Sequence, residues 1–210
     1  MTAAQSHGAL VSQQLSDGHD FDAWRDAARA LLAAAVPPER VIWHIGDAGT
    51  ADLFANSSPA PNSTPAAAKT IAVPRDFLAL ARSAILHCDP ARHALLYRLL
   101  WRLQQQPGLL RNAADPDVRH LNRLRQQVAR DIHKMRAFVR FRRVGGDTVV
   151  DDHAEPDETH YVAWFEPDHA ILRINAAFFV NRFAQMRWSI LTPQGSLHWD
   201  GTTLREGPPA

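Results

Sequence analysis

Between Arg130 and Arg142 the chain reads RDIHKMRAFVRFR, which sets Arg130, Lys134, Arg136, Arg140 and Arg142 around His133 with Asp131 as the one acid among them. Fixed cations at this density draw in anions, and each guanidinium adds a planar fork of donors that matches a pair of phosphate oxygens. The chemistry they point to is anion binding. His133 is the group in this stretch that exchanges a proton near neutrality, so a general acid/base role in an enzyme would fall to it. Such a role also needs a nucleophile or an activating partner, which the stretch does not supply. The residues favour binding over catalysis.

The elements that carry these cations can be read from the spacing of the apolar residues. Asp115-Pro116 is a cap followed by proline at the first helical position, and it opens a helix predicted to reach about Met135. At about 100° per residue Leu121, Leu124, Val128, Ile132 and Met135 share one sector, while Arg119, Arg123, Arg130 and Lys134 project from the opposite side. After Ala137 the period becomes two: Val139 and Phe141 alternate with Arg140 and Arg142, which places these two arginines on one face of a strand. The expectation is a single accessible cradle in which Arg119, Arg123, Arg130, Lys134, Arg140 and Arg142 contact nucleic-acid phosphates, and Trp164 and Trp188 stack on exposed bases. The ordinary fate of a tryptophan is the core, so stacking is the more demanding assignment. Charge is segregated along the chain. Residues 115–143 hold nine Lys/Arg against three Asp/Glu, whereas 147–168 hold eight acids and no Lys or Arg, a block placed to shield the basic one.

With 210 residues, 46% of them hydrophobic, the chain can bury a substantial core, and one α+β domain over 21–200 is expected. Residues 1–20 read as a disordered leader, 55–69 as a flexible, proline-broken loop and 201–210 as a tail or linker. A helix begins near Phe21 and stops before Pro37-Pro38; VIWHI (41–45) is a short strand closed by Gly46; two helices then follow, the first opened by Pro74 with Cys88 on its stripe and the second opened by Asp89-Pro90. The C-terminal half reads strand–strand–helix–strand–strand, giving a helical N-terminal half packed on a small antiparallel sheet.

Cys88 is the single cysteine, so no intramolecular disulfide can form, which fits a reducing compartment. No apolar run approaches the roughly 18–20 residues of a membrane span, and no secretory signal is evident, so the expected location is the cytoplasm. His153, His160 and His169, with Asp151, Asp152, Glu155 and Asp168, are donor types for a metal, but they lack the tight spacing of a structural zinc site, so no metal is assigned. No GxGxxG, phosphate-loop, Gly-x-Ser-x-Gly or CxxC pattern occurs, and no cofactor is expected.

Three blocks resemble one family. RDIHKMRAFVRFR resembles its central motif of an acid, a His, a basic pair and Phe-x-Arg-Phe. HYVAWFEPDHAIL (160–172) resembles its Tyr-x-Ala-x-x-x-Pro-Asp-His segment, and FFVNRFAQMRWSILTP (178–193) its Phe-x-x-Arg-Phe-x-x-x-x-Trp-x-Ile segment. FDAWRDAARALL (21–32) agrees with the N-terminal part of the same proteins. The family comprises DNA-metabolism proteins of unknown function, similar to the segment N-terminal to UdgX-type uracil-DNA glycosylase domains in fusion proteins; stand-alone relatives are associated with a radical-SAM protein. The resemblance runs from about Phe21 to Asp200. It implies a DNA-binding accessory domain in uracil-related DNA repair, not catalytic by itself, with DNA and a glycosylase domain or radical-SAM protein as partners. It leaves two alternatives: a protein-interaction module that docks such a partner, and a DNA-processing enzyme using His133. Where the stand-alone branch has a His before the Phe of the late helix and an Asp after the Trp-x-Ile strand, this chain has Phe178 and Thr192, which weakens the enzymatic alternative. The ending GTTLREGPPA resembles a domain terminus or the start of a linker to a glycosylase domain.

Overall fold

The computed structural model of the chain describes residues 9–46, 73–144 and 159–210. The loop predicted over 55–69, the acids Asp147, Asp151, Asp152, Glu155, Asp157 and Glu158, and His153 lie outside the described residues. The chain divides into two compact units. One is drawn from Met1–Ile85 and Asp89–Arg125, the other from Leu86–Cys88 and Gln126–Ala210.

In the first unit α1 spans Phe21–Ala33. Asp20 caps it, its Oδ1 accepting from the backbone N–H groups of Asp22 (2.8 Å) and Ala23 (3.0 Å). Trp24, Ala28 and Leu31 recur every three or four residues and are buried. The helix closes in a Schellman turn: Val36 N–H donates to Leu31 O and Ala35 N–H to Leu32 O, with Ala35 in the left-handed region at φ 52°. Strand β1 (Val11–Leu15) lies where the leader is expected and pairs in parallel with β2 (Val41–Ile45). Its sequence, VSQQL, has only two apolar residues, too few for an alternation to register.

Helix α2 (Arg75–Ala84) ends before Cys88, which therefore leaves the stripe predicted for it. Helix α3 (Arg92–Leu103) starts two residues after the expected proline, with Asp89 Oδ1 accepting from Ala91 N–H at 2.8 Å. It is the centre of this unit, burying Leu95, Leu96, Tyr97 and Leu99 along with Arg92 and His93. The Arg92 guanidinium is satisfied by three backbone carbonyls, those of Ile85, Asp89 and Gly18. Helix α4 (Pro116–Phe138) begins in the first unit and ends in the second. Asp115 caps it as the sequence predicts, accepting from Asp117 N–H (3.0 Å) and Val118 N–H (3.2 Å), while Arg102 donates to the same carboxylate.

The second unit is a five-stranded sheet in the order β3 (Arg142–Val144), β4 (His160–Trp164), β5 (Arg187–Thr192), β6 (Gly195–Trp199), β7 (Leu204–Gly207). The α+β class holds, but the sheet is mixed, not antiparallel: β4 and β5 run parallel. The reason is α5 (Leu172–Arg182), an eleven-residue helix that returns the chain to the end of the sheet from which β4 started. The expected tail supplies β7, which pairs antiparallel with β6. One side of the sheet packs Ala163, Trp188, Ile190 and Leu197 against Val128 and Met135 of α4 and Leu172 and Phe179 of α5. The other side carries Ser189, Ser196 and His198, linked through Ser189 Oγ with His160 Nε2 (2.9 Å) and His198 Nδ1 (2.7 Å), and through His198 Nε2 with Ser196 Oγ (3.0 Å). Among the described residues no helix is long and apolar enough to cross a membrane.

Candidate nucleic-acid interface

The phase predicted for α4 is realised. Leu121, Leu124, Val128 and Met135 are buried, and Arg119, Arg123, Arg130 and Lys134 are exposed. Within the second unit, Val128 and Met135 face the sheet, so Arg130 and Lys134, one turn apart, point away from it. Asp131 does not neutralise them, because it lies at the edge of the buried stripe and accepts from the backbone N–H of His169 at 3.0 Å. Burial holds its carboxyl above the ordinary value. Lys134 Nζ meets Asp168 at 3.7 Å, both side chains more than half exposed, a pairing worth at most about 1 kcal/mol. Arg119, Arg123 and Arg130 ion-pair with no carboxylate among the described residues.

The remaining cations do not join this ridge. Arg140 falls short of the strand predicted for it: its Nη1 donates to the carbonyls of Ala137 (2.7 Å) and Val139 (3.0 Å), closing the C-terminus of α4. Helix ends leave such carbonyls unsatisfied and attract cations, and that local demand outcompetes the period-two pattern. Arg142 does lie in β3, opposite Val162 of β4. Alternation puts Arg142 on the side of the sheet that bears Ser189 and His198, away from α4, and puts Arg143 on the helical side. The expected single cradle is thus divided between two sides of the unit. Arg136, not singled out as a phosphate contact, donates from Nε to Asn175 Oδ1 (2.7 Å), with its guanidinium 5.0 Å from the Phe178 ring centroid.

The two tryptophans also part. Trp188 is 0% exposed and sits among Phe141, Phe179, Ile190 and Leu197, so it is a core residue and not a stacking platform. Trp164 is 50% exposed and shares the face of Arg142, its indole N–H donating to Glu166 at 2.9 Å. His133 is exposed and has no side-chain hydrogen bond or ion pair among the described residues.

The histidines weighed as metal donors separate as well. His160 joins the Ser189–His198 chain. His169 is buried next to His87, ring centroids 4.1 Å apart, and burial first, then His87, holds it below the ordinary imidazole value. The sequence reading missed both His87 and the Ser–His chain. Ser189, Ser196 and His198 leave a period-two signal in RWSILT and GSLHW, but nothing local marks His87.

A family model described as a domain of unknown function, DUF4130, matches residues 90–202, more than half of the chain, taking in α3, α4, α5 and the sheet as far as β6. No curated protein and no solved structure matches the chain.

Proposed function

This chain belongs to the family of the domain of unknown function DUF4130, and we propose that its role is to bind DNA, as an accessory domain that is not catalytic by itself and serves uracil-related repair beside a uracil-DNA glycosylase domain. The observation that carries the reading is the exposed, carboxylate-poor cationic ridge of α4, centred on Arg130. A solubilising helix face usually interleaves acids at i±4; here the nearby acid, Asp131, is turned inward. Phosphate oxygens are the ligands that such a ridge fits, and contacts of this type fix position on the backbone without reading sequence. Arg142 and Trp164, on the far side of the sheet, form a smaller second surface suited to an unpaired base and its phosphate. The association with glycosylases rests on the resemblance of the three sequence blocks.

The test is fluorescence anisotropy of the full chain on labelled single- and double-stranded oligonucleotides. Arg130→Glu/Lys134→Glu is expected to weaken binding at least about tenfold, since two attractions become two repulsions. Unchanged affinity removes the ridge from the argument. A second reading, docking of a glycosylase or radical-SAM protein, is favoured by Phe138, which is 65% exposed at the end of α4. Retention of such a partner by the wild type but not by Phe138→Ser, with DNA binding undetectable, would select it.

A further inference from the structure

Beyond nucleic-acid binding, the second unit brings together three metal-ligating side chains from two distant stretches of the chain: His87, Cys88 and His169, whose ligand atoms are all within 4.8 Å of one another. We propose that these three residues form a binding site for a borderline-soft divalent cation of the zinc type. Two imidazole nitrogens and one thiolate are the donor set such an ion favours, and three protein ligands leave a fourth tetrahedral position for water or a ligand.

The surroundings resemble a built site. His87 and His169 are buried, while Cys88 is exposed, which gives an entry path and a ligand that can swing inward. Donors in a bound zinc tetrahedron stand about 3.5 Å apart, so closure requires movements on the order of 1 Å. The two loops are already fastened together by Ala170 N–H donating to Leu86 O (2.9 Å), and the longer Cys88 N–H bond to His169 Nδ1 (3.4 Å) marks the lone pair that a cation would take over from that donor. The outer partners are those that orient metal ligands. Gln127 Oε1 lies 2.9 Å from His87 Nε2; as a pure acceptor it fixes the proton there and leaves the Nδ1 lone pair as the donor. Asp131, from the same helix, holds the backbone of His169. His87 and Cys88 fall just outside the residues matched by the family model, and His169 lies within them.

Because Cys88 is the single cysteine, every thiolate signal reports on this site alone. The experiment takes the full, tag-free chain after chelator treatment, at neutral pH, and titrates it with Co2+ and Zn2+. One Co2+ per chain is expected, with a thiolate-to-cobalt charge-transfer band in the near ultraviolet that Zn2+ abolishes. Zn2+ should also slow the reaction of Cys88 with a thiol reagent. Cys88→Ser should lose the band, and Gln127→Ala should weaken affinity by roughly 10–100-fold. Since Cys88 is exposed, its substitution preserves the fold, which circular dichroism checks. Absence of the band at saturating Co2+, or Zn2+ affinity equal in wild type and Cys88→Ser, overturns the proposal.

Discussion

His93 shows how far burial alone can move a side chain's chemistry. It is 1% exposed on α3 and bonds through Nε2 to Gly18 O at 2.7 Å. Burial lowers its pKa from 6.5 to about 4, outweighing the carbonyl that would favour the charged form. Between these values the unfolded chain binds a proton that the folded chain refuses, so stability rises with pH across that window. The contribution is fully present above about pH 6.5 and is lost as pH falls towards 4, by at most about 3 kcal/mol. Urea unfolding at a series of pH values should show that slope in wild type and a flatter one in His93→Gln. An equal slope in both would assign the acid sensitivity elsewhere.

Helix α4 carries four of the six proposed phosphate contacts, Arg119, Arg123, Arg130 and Lys134, and its start depends on one carboxylate. Asp115 is buried, caps two N–H groups and receives Arg102, whose hydrogen bonds hold its carboxyl below the ordinary value. Asp115→Ala removes cap and partner together and should lower stability by about 2–3 kcal/mol in denaturant titrations. Asp115→Asn keeps a cap acceptor and should lose less. α1, β2 and α4 were legible in the sequence because their caps, prolines and apolar periods agree. β1 and β7 were not: VSQQL and LREG are too short and polar to announce pairing, although the strands that hold them, β2 and β6, were themselves legible. The parallel β4–β5 pairing could have been argued from the intervening helix. The ridge of Arg130 and Lys134 was legible because one helical phase fixes both faces; the position of Arg140 was not, since a helix end's need for donors does not appear in a period. The cluster of His87, Cys88 and His169 arises from tertiary contact alone.

At the scale of the whole chain the formal net charge is only +1, so the proposed attraction to DNA would have to come from segregation of charge, not from its sum. Duplex affinity should therefore still fall steeply with salt. Each phosphate contact contributes about −0.9 to the slope of log affinity against log salt, so the Arg130→Glu/Lys134→Glu variant should flatten it by about 2. Equal slopes for wild type and variant would mean that the contacts lie elsewhere on the surface.

Among the described residues β3 is the outermost strand of the sheet, and that has a consequence of its own. It is three residues long, exposed throughout, and two of the three are arginines; β7, at the opposite rim, bears Arg205 and Glu206. An unpaired strand invites another copy of the chain to add on, and charge at a short rim repels it. Arg142 and Arg143 thereby place charge along this rim whatever else they hold, and apolar replacements there should raise the tendency of the chain to self-associate, which light scattering would read.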